Sequence, residues 1–258
     1  MSTATLAAPL PREGAATAPG LGRLTLVELR KMTDTRAGFW LQLTVAGLTV
    51  ALVALVCLFG EAGDRRFDSL LEAAVQPASI LLPIIGILLV SSEWSQRTAA
   101  ITFALVPQRM RVMAAKLLAS VIVAVIALAA SIAVAAVGAA FAAPSTPGAW
   151  SLSGAILGQI AFTVVTGMLG GVAVGALLLA SAPAIVFYFA APLGWAAFVS
   201  LPFLDDAAPW VDTTRSMAPV FEHALSGTEW ARIGTSLALW LLLPLAVGLW
   251  RIRRSEIS

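Results

Sequence analysis

Ser91–Lys116 reads SSEWSQRTAAITFALVPQRMRVMAAK, a polar and basic island set between two long apolar segments. Around it the chain is 59% apolar and has a mean hydropathy of +0.92, a composition suited to lipid rather than water. A charged loop of this kind, joining two apolar segments, belongs at a membrane face, where a soluble partner can push on it. The island therefore decides the reading: a membrane-embedded chain whose motor lies elsewhere.

At 258 residues a soluble chain would form one or two domains, but the apolar content overrides that expectation. A bilayer core of roughly 30 Å takes about 20 apolar residues per helix. Runs of that kind fall at Phe39–Phe59, Ala73–Ser91, Leu117–Ala142, Leu152–Ala180, Pro183–Leu204 and Ile233–Trp250. Backbone groups in lipid must be satisfied within their own segment, so these runs are helices; the alternation of a barrel strand is absent. The expected fold class is an all-α membrane protein with six transmembrane helices, an amphipathic N-terminal interfacial helix, and a cytoplasmic coupling helix between spans two and three. The expected organisation is a disordered cytoplasmic tail at 1–22, an amphipathic connecting helix at 23–38 and a six-span domain at 39–258.

Orientation follows from the cations. With the amino terminus inside, only Arg65, Arg66, Arg215 and Arg232 of the 16 basic residues fall outside. The positive-inside rule then places both termini in the cytoplasm of a multi-pass cell-membrane protein. The tail is rich in Ala, Pro, Gly and Thr and lacks the basic and apolar regions of a signal peptide; the first span would itself direct insertion. Cys57 is the single cysteine and His223 the single histidine, so no disulfide within the chain and no cysteine–histidine metal site is expected.

Thr25 and Glu28 stand at capping-box spacing. In the helix that follows, Leu26, Leu29 and Met32 share one arc, with Glu28, Arg30, Lys31 and Asp34 largely opposite and Arg36 beyond. Such a helix would lie in the inner interface with its cations near anionic headgroups; the plainer reading is a basic flank that only sets topology. Pro77 and Pro83 in the second span, three prolines in the fifth and Pro244 in the sixth permit kinks. In the fourth span Gly154 and Gly158 form one GxxxG, and Gly167, Gly171 and Gly175 form two overlapping ones, a face that admits a second backbone closely. With the alanine-rich third span, this points to the third and fourth spans as the packed interior or as one side of a dimer seam. No acid or base lies deep in any span, against the habit of ion-coupled carriers.

Within the island, Glu93 to Arg97 continues the second span. Thr98–Leu105 forms a short helix across the membrane face with Ile101, Phe103 and Leu105 as an apolar knob. Pro107 ends it, and Arg109, Arg111 and Lys116 lead into the third span. Glu93, Thr98, Leu105, Pro107, Arg109 and Lys116 resemble the E…T…L…P…R…AK pattern of type 2 ABC transporter permeases. Glu28-Leu-Arg-Lys31 ahead of a span resembles the connecting helix of the same family. Arg97 departs from the glycine that many members place before the threonine.

The resemblance implies the membrane subunit of an ATP-driven exporter, paired with a second permease subunit and with separate ATP-binding subunits. The island and the connecting helix would transmit the ATPase motion. ATP and magnesium would be bound by the partner, because this chain has no G-x-x-x-x-G-K-[ST] and neither Lys31 nor Lys116 follows a glycine. No cofactor, no enzymatic activity of its own and no nucleic-acid partner is expected. The cargo would be hydrophobic or amphiphilic. The rival readings are a six-span carrier working without ATP and a non-transporting membrane sensor or anchor. The polar stretch Asp205–Glu229 is either an acidic external loop or a set of short helices anchored by Trp210, Phe221 and Trp230.

Overall fold

The computed structural model describes residues 20–61, 63–96, 98, 108–142, 148–201, 204 and 206–254. Among them every regular element is helical. In chain order these are α1 (Leu21–Asp34), α2 (Arg36–Phe59), α3 (Phe67–Ser95), α4 (Arg109–Ala142), α5 (Gly154–Leu178) and α6 (Ser181–Val199). Short pieces follow: α7 (Ala208–Val211), α8 (Thr213–Met217) and a 3-10 turn at Ala218–Phe221. The last helix runs as α9 (Gly227–Leu237), a π-helical turn over Ala238–Leu242, and α10 (Leu243–Arg254). Six helices are long and apolar enough to cross a membrane: α2, α3, α4, α5, α6 and the continuous Gly227–Arg254. Their number and order match the six apolar runs of the sequence and fit a multi-pass membrane protein.

The centre of the bundle is the pair α3 and α5, not the third and fourth spans. The helix α4 has only 28% of its span buried, against 61% for α3 and 56% for α5. Glycine explains the pairing, since without a Cβ two helix backbones can touch. A Cβ on Gly171 would fall onto the Pro83 carbonyl oxygen, one on Gly86 would lie 2.6 Å from the Met168 carbonyl oxygen, and one on Gly175 would lie 2.9 Å from that of Ile87. Alanine supplies small volume but keeps its Cβ, so α4 packs at the side and turns Val125, Ile126 and Val137 outward.

Pro77 interrupts the hydrogen bonding of α3 one turn after Ala74, and hydroxyls from both neighbours serve that turn. The Ala74 carbonyl accepts from Thr49 Oγ1 on α2 and from Ser131 Oγ on α4, each at 3.2 Å. Pro77 itself has no N–H to give the Ala73 carbonyl, and the two hydroxyls at the adjoining Ala74 tie α2, α3 and α4 together.

The expected helix at 23–38 is two elements. The first begins at Leu21 behind Gly20, so Thr25 lies a full turn inside it. Its Oγ1 donates back to the Leu21 carbonyl at 3.0 Å, and the expected capping box is not formed. Thr35, with extended backbone, interrupts the helix, accepts from the Gly38 amide at 3.2 Å and starts α2. Arg36 therefore belongs to the first span. At the end of the bundle opposite α1, residues 208–221 are short helices rather than an irregular loop, with Asp212 capping α8 through the Thr214 amide.

Candidate functional site: a buried ionic cluster at the α1 end

Thr25, Glu28 and Met32, spaced three and four apart, form the buried face of α1. This reverses the expected polarity at Glu28, which points into the protein while Leu26 and Val27 are exposed. The physical reason is the solvent. An apolar side chain outside costs little around a chain of this hydropathy, and a charge is held inward only against an opposite charge.

The partners come from two other helices. Lys116 on α4 is 1% exposed and Glu93 in the last turn of α3 is 8% exposed. The Lys116 ammonium donates to Glu28 Oε2 at 2.7 Å, to the Leu89 carbonyl at 2.9 Å and to Glu93 Oε1 at 3.1 Å, which satisfies all three of its protons. Lys31, half-buried at the rim, donates to Glu28 Oε1 at 2.8 Å and to Glu93 Oε1 at 2.7 Å. Two acids and two bases thus close a neutral cluster across α1, α3 and α4. Both lysines of the chain are in it. Burial acts on Lys31 to release its proton, and its hydrogen bonds to Glu28 and Glu93 overcome this, so its pKa stands above the ordinary 10.5.

The cluster sits where the island leaves and returns. The α3 helix ends just past Glu93, whose carbonyl accepts from the Thr98 amide at 2.8 Å. On the return, Arg109 Nη1 donates to the Ile252 carbonyl on α10 at 2.8 Å, and Arg111 Nη1 to Gln108 Oε1 at 3.1 Å. Both ends of the loop are thereby fastened, one to the ionic cluster and one to the last helix. Arg97, Ile101, Phe103, Leu105 and Pro107, and with them the expected coupling helix, lie outside the described residues. Beside the cluster a cleft of about 430 Å³ opens between the α1–α2 corner, the end of α3 and the start of α6, with Lys31, Glu93 and Thr98 on its walls.

The remaining candidate residues scatter. Arg30 and Arg36 are exposed. Gly171 and Gly175 lie against the α3 backbone, whereas a Cβ on Gly154, Gly158 or Gly167 would meet nothing within 4 Å. The convergence of Glu28, Glu93 and Lys116 was not evident from the sequence. The one local sign was the choice of lysine at only two positions in a chain whose other cations are all arginine.

The sequence matches no protein-family profile and no curated protein. Fold and site together define a class on their own: a six-helix membrane-spanning protein whose N-terminal helix is clamped to the bundle by a buried, charge-neutral cluster.

Proposed function

We propose that this chain is the membrane-spanning permease subunit of an ATP-driven exporter, acting with a separate ATP-binding subunit and a second permease subunit. The observation that carries the reading is the Glu28–Lys116–Glu93–Lys31 cluster. It joins α1 to the two helices from which residues 97–107 emerge, so a push on that loop is delivered to α1, α3 and α4 together. The cluster lies at the end of the bundle where most basic residues gather, which the positive-inside rule assigns to the cytoplasm. A soluble ATPase would meet the chain on that side.

An ion-coupled carrier is less well supported. Such a carrier needs a carboxylate free to gain and lose a proton, and Glu28 and Glu93 are each held by lysine. The bundle's apolar interior suits a hydrophobic or amphiphilic cargo.

The test is a mild-detergent pull-down of the tagged chain from its native membrane. A stoichiometric ATP-binding subunit should come with it and be lost when Ile101, Phe103 and Leu105 are together replaced by serine. Recovery of the chain alone, or only with itself, overturns the reading.

A further inference from the structure

Between the middle of the bundle and the end opposite α1, a cavity of about 460 Å³ lies among α3, α5, α6 and the last helix, with residues 213–221 closing it. That volume is in the range of small-molecule sites, roughly 300–1,000 Å³. No Asp, Glu, Lys, Arg or His is on its walls.

The hydroxyls on its α3, α5 and α6 walls share one property. Ser79 Oγ donates to the Val75 carbonyl at 3.1 Å, Thr163 Oγ1 to Gln159 at 3.0 Å and Thr166 Oγ1 to Phe162 at 2.7 Å. Tyr188 gives its proton to the Gly167 carbonyl at 3.3 Å. A hydroxyl has one proton and two lone pairs, so these four groups offer acceptors and no donor; the other hydroxyls, Thr213 and Thr214, lie at the closing end. The indole of Trp240 contributes a ring, its N–H already given to the Val211 carbonyl at 2.9 Å.

Two features of the backbone shape the lining. The π-helical turn at Ala238–Leu242 presents Trp240 and Leu241 to the cavity, and such turns recur at functional sites. Gly167 also lines it, yet a Cβ there would touch nothing within 4 Å. This glycine is not needed to bring a helix close; its missing side chain is part of the cavity.

We propose that this cavity binds an uncharged, largely apolar molecule that donates a hydrogen bond to the wall formed by α3, α5 and α6. An anion or a cation would be buried there without a counter-charge. The proposal rests on the permease reading only in taking the bound molecule as cargo; binding itself requires no partner.

The probe is N-phenylnaphthylamine, an uncharged arylamine with a single N–H that fluoresces on leaving water. It is compared with its N-methyl derivative and with anilinonaphthalene sulfonate on the purified chain in lipid nanodiscs. The expected result is saturable binding of the arylamine, about fivefold weaker for the N-methyl compound, the size of one lost hydrogen bond, and none for the sulfonate. Gly167→Leu fills the space and abolishes the saturable signal. Thr166→Val weakens the arylamine and leaves the N-methyl compound unchanged, which decides the matter even if the leucine variant folds poorly. Partition without saturation, binding untouched by both substitutions, or equal affinity for the sulfonate overturns the assignment. An ATPase subunit in the pull-down without saturable binding removes the cavity and keeps the permease; saturable binding without that subunit does the reverse.

Discussion

Lys116 on α4 donates to Glu28 on α1 across 2.7 Å, and both side chains are almost wholly buried. A buried pair of this kind adds little by being present, because desolvation offsets the attraction, but it costs a great deal to break. Lys116→Met should therefore destabilise the bundle by about 3–5 kcal/mol, since it leaves two carboxylates facing Lys31 alone. Adding Glu28→Gln restores neutrality through Lys31 and Glu93. The double variant should recover at least about 1 kcal/mol relative to the sum of the single effects. Thermal denaturation in detergent measures this; strict additivity would show that the two residues do not act as a pair.

The charge of Lys31 gives this joint an alkaline limit. Its pKa is raised in the folded chain by Glu28 and Glu93, so its contribution is complete below 10.5, the unfolded value, and fades as pH climbs through the folded one. The gap in thermal stability between the native chain and Lys31→Met should be constant through neutral pH and close on the alkaline side. A gap that changes across neutral pH would mean that a group other than Lys31 controls this joint.

The limits of sequence reading are clear in these residues. The spans were legible because about 20 consecutive apolar residues leave few alternatives. The inward face of α1 was not, because Glu28 is buried by a partner 88 positions away, and local periodicity carries no record of it. The same holds for the bundle's centre. Alanine in α4 and glycine in α5 both read as small, yet only a missing Cβ lets Gly171 lie on the Pro83 backbone. Glu93 and Lys116 belong to one polar island of the sequence, but nothing local marks them as halves of a buried joint.

Glycines in the fourth span should divide sharply on substitution. At Gly171 an added methyl would run into the Pro83 backbone, which cannot rotate away. Gly171→Ala should separate α3 from α5 and lower the yield of monodisperse protein. At Gly158 the methyl meets open space, and alanine should be neutral or stabilise by up to about 1 kcal/mol through helix propensity. Size-exclusion profiles and melting curves of the two variants decide it; equal damage at both positions would place Gly158 against a second copy of the chain.

Gln159 holds down the opposite end of the molecule. Buried on α5, it donates through Nε2 to the carbonyls of Val220 and His223 and accepts the Leu225 amide on Oε1, each at 2.9 Å. Leucine has similar bulk but none of these bonds, so three backbone groups would lose their partner, each worth about 1–3 kcal/mol where water cannot replace it. The segment 218–226 should release before the spans do. Hydrogen exchange should therefore show Gln159→Leu losing protection there while α3 and the ionic cluster stay protected. Unchanged exchange at 218–226 would mean that the capping box between Ser226 and Glu229 suffices to hold the segment.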